Sequence, residues 1–350
     1  MTGAKKPRVT IVVSPRERFG VAKRSLESAY AATDIPFELV YIDARSPAPL
    51  SDWLKAEAAT KDFRIIHRDR FVTPNEARNL GLAASTTEYV VFVDNDVIFS
   101  DGWLRKLVEC ADETGADVVA PVTCEGFPVH SLVHQASGKF SDDRTTFFSK
   151  PFGERHFVEV QGFYGSPLRE VRDQLRREEV DTCEFHCVLA RRSVFDRIGP
   201  LDEGLYATRE HFDFCMSVLQ AGGKIMFEPA SVVTAIFPGE EYPVTRDDLP
   251  YFLLRWSTVW QTRSLAHMRE KWGLKNVGDI YNVSQMDHLR YRHFQDFMAP
   301  LIKKIPVVRR SYRLSKMART VLTNYIDYRV RGLVAENDSQ RAASRARAAE

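Results

Sequence analysis

The sequence predicts an α/β fold, a mostly parallel sheet flanked by helices and continued by a helical C-terminal extension. Three observations carry this. Short runs of β-branched and aromatic residues alternate with helix-like segments through the first 122 residues, and continuous apolar runs suit strands buried on both faces of a parallel sheet. The connections between them are a few residues long, as in strand–helix–strand units. From Asp247 the alternation gives way to helical segments rich in Trp, Arg and Leu.

The elements follow in order. Residues 9–13 form the first strand and 22–32 the first helix, and 37–42 repeat the apolar run up to Asp43. Ser51 is expected to cap a helix reaching Ala59, and 63–66 form a third, shorter strand. Thr73-Pro74-Asn75-Glu76 has the pattern of a capping box with proline at the first helical position, so a helix is expected from there to Ala84. Residues 89–93 make a strand ending in Asp94-Asn95-Asp96. A helix over 101–114 stops at Gly115, and 118–122 supply a fifth strand. Between Cys124 and Val180 the period breaks, predicting loops and a hairpin beside the sheet. Regularity returns with a strand over 184–190 and a short helix closed by Gly199-Pro200. A helix over 210–221 ends at Gly222-Gly223, and Pro229 separates two closing strands, 224–227 and 231–237. Leu314, Met317, Val321, Tyr325 and Tyr328 recur at helical steps as an apolar stripe. The Ala/Arg/Ser stretch after Glu336 is expected to be disordered.

Composition excludes several classes. The chain has 350 residues, 44% hydrophobic and 27% charged, the profile of a packed globular protein. No apolar run approaches the ~20 residues of a membrane-spanning helix, and the basic opening leads into a strand, not a signal-peptide core. Five scattered cysteines do not make a disulfide framework, so reduced thiols and a cytoplasmic protein are expected. The net charge of +2 hides an asymmetry. Residues 300–350 hold 12 Lys/Arg against 4 Asp/Glu, net +8, leaving the other 299 at 37 against 43, net −6. A basic tail on an acidic body is expected to meet something anionic, a membrane surface or the body itself. The acidic body disfavours nucleic-acid binding.

In parallel α/β sheets ligands bind at the carboxyl ends of the strands. Two strands here end in acids, at Asp43 and at Asp94-Asn95-Asp96. Carboxylates spaced by one residue at a strand exit suit magnesium or manganese bound to a diphosphate, and Asp43 is placed to accept hydrogen bonds from a ribose or base. No Gly-x-Gly-x-x-Gly or phosphate loop follows any strand, which removes dehydrogenase and P-loop readings. Cys183, His186 and Cys187 lack a second ligand pair for zinc, and strand packing explains them better. His130 and His134 lack the Glu that a zinc hydrolase helix carries after its first His.

The order of these pieces resembles the family 2 glycosyltransferases, inverting enzymes of the nucleotide-sugar-binding GT-A fold. The resemblance spans residues 8–237. It is carried by Val9-Thr10-Ile11-Val12-Val13, Glu38-Leu39-Val40-Tyr41-Ile42-Asp43, and Asn75-Glu76-Ala77-Arg78-Asn79-Leu80-Gly81-Leu82-Ala83. Glu88 to Asp96, Arg191 to Phe195, Gly199 to Glu203 and Arg209 to Phe214 complete it. It implies a donor-nucleotide half (8–122) and an acceptor half (123–237), then a helical extension (238–335) and a tail (336–350).

The resemblance also implies roles. Asp43 would hold the base or ribose of a nucleoside-diphosphate sugar, a UDP-sugar being favoured. Asp94 would lie near the ribose and, with Asp96, serve a divalent metal, Mn2+ or Mg2+. Pro15, Arg78, Asn79 and Asn95 would shape the nucleotide pocket, Arg78 being equally readable as a helix-surface residue. The acceptor would be a glycan or lipid-linked glycan, with a role in polysaccharide biosynthesis and peripheral membrane contact through the basic C-terminal helix. The family usually carries Glu-Asp where this chain has Glu210-His211. His211 suits proton abstraction near neutral pH, and Asp213 and Glu210 stay open as alternatives for the base.

Two further departures stand out. The first strand runs into Ser14-Pro15-Arg16-Glu17-Arg18 where relatives have a Pro-Thr-Tyr-Asn-like turn, and Arg16 and Arg18 are either phosphate contacts or surface arginines. No histidine lies on 232–237, where relatives carry a metal ligand. Trp256, Trp260 and Trp272 offer either a sugar-stacking platform or helix packing. Two other readings remain: a GT-A-fold glycan- or nucleotide-binding protein without turnover, and a sugar nucleotidyltransferase.

Overall fold

The computed structural model describes residues 6–142, 144–237, 241–275 and 305–349. Eleven strands among them join into one sheet. They are β1 (Val9–Ser14), β2 (Glu38–Ala44), β3 (Arg64–Arg68), β4 (Tyr89–Asp94), β5 (Val97–Phe99), β6 (Val118–Glu125), β7 (Leu132–Phe140), β8 (Glu159–Gly162), β9 (Glu178–Val180), β10 (Cys187–Arg191) and β11 (Ile225–Ala235). The helices are α1 (Ala22–Ala32), α2 (Ala48–Lys61), α3 (Pro74–Ala84), α4 (Trp103–Thr114), α5 (Arg144–Ser149), α6 (Leu168–Val171), α7 (Val194–Ile198), α8 (Glu210–Gln220), α9 (Leu249–Arg255), α10 (Thr258–Trp272), α11 (Pro306–Arg310) and α12 (Tyr312–Ala349). No described helix is long and apolar enough to cross a membrane.

The sheet runs β3-β2-β1-β4-β10-β6-β11-β5. β3, β2, β1 and β4 are mutually parallel, and the buried valines and isoleucines of β2, β1 and β4 lie between helices on both faces, as continuous apolar runs require, while Ile65 and Ile66 of β3 are half-buried. β10 enters antiparallel between β4 and β6, with Cys187 opposite Val93. β7 and β8 form the expected antiparallel pair outside β6. The two cores lie on opposite faces of the sheet: Val12, Phe92 and Val188 belong to one, Ile11, Val91 and Leu189 to the other.

Several expectations are corrected. The helix expected to start at Ser51 begins a turn earlier, after Pro47, and Ser51 instead donates its hydroxyl to Asp43 Oδ2 at 2.7 Å. Thr73 does precede α3 but makes no side-chain cap, and Glu76, the other half of the expected box, pairs with Arg70. The two closing strands are one, β11, with an irregularity between Glu228 and Val232 that absorbs Pro229. The strand expected from Glu184 starts at Cys187, which leaves Glu184 and His186 in the preceding turn. The stretch after Glu336, expected to be disordered, continues α12 to Ala349. Its Ala, Arg and Gln are good helix formers, and two of its polar residues are buried. Asn337 donates to the Phe71 carbonyl at 2.8 Å and Arg341 to that of Glu203 at 3.0 Å.

Candidate functional site

A cleft of about 700 Å3 opens at the carboxyl ends of β1 and β4. The exit of β4 delivers Asp94 and Asp96 to its floor, while Asn95 between them does not line it; all three are buried. The backbone fixes them from three sides. Asn95 donates its N–H to Ser14, Asp94 to the His186 carbonyl, and Ile236 donates to the Asp96 carbonyl. His186 therefore arrives beside the two acids through the antiparallel pairing of β10 with β4. Asp94, Asp96 and His186 each offer a ligand atom, and these atoms lie within 4.8 Å of one another. Asp96 Oδ1 is buried without a hydrogen-bond partner among the described residues, while Asp94 Oδ2 and His186 Nδ1 face each other at 3.1 Å. Buried polar atoms are costly to leave unmatched. Two carboxylates with one imidazole make a donor set that fits a divalent cation.

The surrounding charges differentiate the two acids. Burial works against ionising Asp94, but Arg16, whose Nε is 3.2 Å from Oδ2, together with His186 and Arg78 carries its pKa well below the usual range. Asp96 is pushed up to about 6 by burial and by the Asp94 charge. Arg16 reaches Glu210 as well, at 3.6 Å, and its backbone N–H donates to Asn95 Oδ1 at 2.8 Å. Both Arg16 and Arg18 are buried and line the cleft. Arg78 is fully buried, stacked 3.9 Å over the Phe185 ring and 3.3 Å from Asp94 Oδ1, so it is no helix-surface residue.

The remaining nucleotide-side candidates stand further back. Asp43 does not line the cleft. It is buried and accepts from Ser51, from His67 Nδ1 at 3.0 Å and from the Ser46 N–H, and these bonds hold its pKa low against the penalty of burial. Asn79 is spent on the loop before α8, donating to the Leu201 carbonyl and accepting from the Leu201 N–H. Pro15 is buried next to Arg16 without facing the cleft.

Helix α8 brings the base candidates. His211 lines the cleft with Nε2 unbonded and 3.5 Å from Glu184 Oε1, and burial pulls its pKa below 6.5. Glu210 also lines the cleft, with one oxygen facing Arg16 and Arg78 at 3.6 and 3.9 Å. Asp213 does not line it. Its carboxylate accepts from Trp272 Nε1 at 2.7 Å and pairs with Lys271 at 2.7 Å, tying α8 to α10.

Several cleft residues have no role assigned by the sequence. Glu184, carried to about 2 against the penalty of burial by His211, His186 and His134, lines the cleft with His134, which bonds Glu125 at 2.9 Å. Glu17 is buried at the rim, where Arg255 donates to it at 2.6 Å and Trp256 Nε1 at 3.0 Å. Of the three tryptophans, Trp256 lines the cleft, while Trp260 and Trp272 are core. His186 was visible only as part of a Cys-His-Cys grouping. Its thiol neighbours Cys183 and Cys187 are buried in the cores, as strand packing predicted.

The family model described as glycosyl transferase family 2 matches residues 10–199, more than half of the chain. The pre-mycofactocin glycosyltransferase of Mycobacterium tuberculosis is 25% identical over 229 residues, 64% of this chain and 42% of that protein. The succinoglycan biosynthesis protein ExoO of Rhizobium meliloti is 26% identical over 205 residues, 53% of this chain and 59% of that one. The chain thus aligns with less than two thirds of either relative. The crystal structure of GalNAc-T7 with UDP, GalNAc and Mn2+ superposes with a TM-score of 0.52 at 17% identity, over 85% of this chain and 57% of the other, a likeness of fold.

Proposed function

The chain belongs to glycosyl transferase family 2, and from that premise we propose that it moves a sugar from a nucleoside-diphosphate sugar to a hydroxyl of a glycan or lipid-linked glycan, with inversion. The observation that carries the proposal is the trio Asp94, Asp96 and His186, buried in a cleft with their ligand atoms within 4.8 Å of one another. A divalent cation bound there would neutralise charge building on the departing nucleoside diphosphate. Manganese is the favoured ion, because an imidazole joins the carboxylates.

Arg16 and Arg78 offset the charge of Asp94 and Glu210, so the floor can accept a polyanion without unpaired acids beneath it. We assign the base to His211. Its lowered pKa keeps the imidazole neutral, and Nε2 is free to take the proton of the attacking hydroxyl. The hydroxyl oxygen bonds the anomeric carbon as the bond to the diphosphate oxygen breaks on the opposite face, and the nucleoside diphosphate leaves with the electron pair. Asp213 is held by Trp272 and Lys271, and Glu210 by two arginines, so both are worse placed for that proton. Asp43 and Asn79 would then act through the pocket wall. A UDP-sugar is the favoured donor; the solved protein of similar fold carries UDP, GalNAc and Mn2+. The reading implies a cytoplasmic enzyme of polysaccharide assembly, working at the inner face of the membrane.

The test is a thermal-shift screen of UDP, GDP, dTDP and CDP with and without Mn2+, beside Asp96→Ala. A ligand that binds the native state raises the melting temperature. A Mn2+-dependent shift with one nucleotide, lost in the variant, is expected, followed by release of that nucleotide from its sugar donor. Binding without turnover would mark a nucleotide-binding protein, and no shift with any nucleotide would overturn the assignment.

A further inference from the structure

Helix α12 has two apolar faces, and the body uses one. Val330 and Val334 are buried in the core, and Leu322 and Ile326 pack with Val308 of α11 against Leu253 and Trp256. The other face is the stripe read from the sequence. Met317, Val321, Tyr325 and Tyr328 are 54–71% exposed and Leu314 37%, with Val307 and Tyr312 adding to them at 67% and 83%. Among the described residues, the stripe therefore stays largely uncovered by the body.

Charge surrounds this face. Residues 305–331 hold seven Lys/Arg against one Asp. Arg310, Arg313, Lys316, Arg329 and Arg331 are all exposed. At about 100° per residue, Arg313 and Arg331 flank the stripe on one side and Arg329 on the other.

We propose that the exposed face of α11 and α12 is a docking surface for an anionic lipid bilayer. Apolar side chains at helical spacing with basic residues beside them suit a helix lying in the interfacial plane, and tyrosines favour that depth. Charge decides against a second copy as the occupant, since self-pairing would set net +6 against net +6. The surface also stands beside the cleft. Trp256, which lines the cleft, packs against the opposite face of the same helix, so docking would bring the cleft to the bilayer. Only that last link, to a lipid-linked acceptor, rests on the proposed transferase reading.

The experiment is co-sedimentation of the full chain with phosphatidylcholine vesicles and with vesicles of phosphatidylcholine and phosphatidylglycerol. The protein is expected to pellet with the anionic vesicles, not the neutral ones, and to be released by salt. Arg313→Glu/Lys316→Glu and Met317→Ser/Val321→Ser/Tyr328→Ser are each expected to weaken binding by about tenfold or more, with unchanged melting temperature. No vesicle binding, equal binding to both vesicle types, or unaltered binding of both variants would overturn the proposal. So would a dimer in light scattering that the apolar variant abolishes, which would assign the face to a second copy. The readout needs no donor or acceptor. Absence of vesicle binding by the native chain with an intact nucleotide-dependent thermal shift fails this proposal alone, and the converse fails only the transferase reading.

Discussion

Nδ1 of His186 stands 3.1 Å from Oδ2 of Asp94, at the point where β10 meets β4 in antiparallel register. β11 carries no histidine, and this side chain reaches the acids from the turn before β10. His186→Ala is expected to lower Mn2+ affinity by about tenfold or more. The signal of free Mn2+ in electron paramagnetic resonance titrations reads this directly. Unchanged affinity would remove His186 from the ligand set.

His211 should govern the acid limb of catalysis. Its proton-accepting form is neutral, and burial shifts its titration below the ordinary 6.5, so kcat should hold as pH falls through 6.5 and decline only below it. His211→Ala is expected to cost about 10²–10⁴ in kcat with the donor KM little changed. Asp213→Asn should instead show itself in stability, through the bonds to Lys271 and Trp272. An acid limb that persists in His211→Ala would transfer the role to another group.

Glu17 fastens the cleft rim to α9. Removing it leaves the buried Arg255 guanidinium without its carboxylate, and Glu17→Ala is expected to cost about 3–5 kcal/mol in urea unfolding. The pH dependence has a defined sign. Arg255 and Arg16 hold the Glu17 pKa near 2 despite burial. Its contribution is therefore complete above the ordinary carboxylate value of 4.5 and lost as pH falls towards 2. The variant should lack that part of the acid destabilisation.

Gly81 lets α3 sit directly on β1. A Cβ there would lie 2.1 Å from Val12 Cγ1, so Gly81→Ala is expected to destabilise by about 1–3 kcal/mol. Adding Val12→Ala should recover part of the loss. Additive losses in the double variant would show that the crowding lies elsewhere.

What the sequence disclosed follows from how locally each feature is encoded. The runs at 9–13 and 89–93, the helix at 22–32 and the Asp-Asn-Asp exit need only neighbours in the chain, and the structure has them within a residue. β5 was not foreseen, being three residues between Asp96 and Ser100. Pro229 reads as a break, yet the pairing of β11 with β6 resumes beyond the irregularity at Val232. The site divides the same way. Asp94 and Asp96 announce themselves at a strand end. His186, Glu184 and the Glu17–Arg255 pair depend on which distant strand or helix lies alongside, and nothing in their local sequence marks that. The C-terminal stretch was misread for a related reason, since its anchors Asn337 and Arg341 bond to carbonyls on remote loops.

The placement of β10 constrains how the cleft can move. This strand takes a ladder from β4 on one side and from β6 on the other, so the segment bearing Asp94 and the segment leading to β7 are rungs of one continuous sheet. Opening the molecule about a hinge between them would shear backbone bonds in the middle of the core. Admission and release of substrates then fall to the periphery: the loops around β7 and β8, and the rim that Glu17 ties to α9. Mechanically the cleft behaves as a rigid seat with adjustable edges.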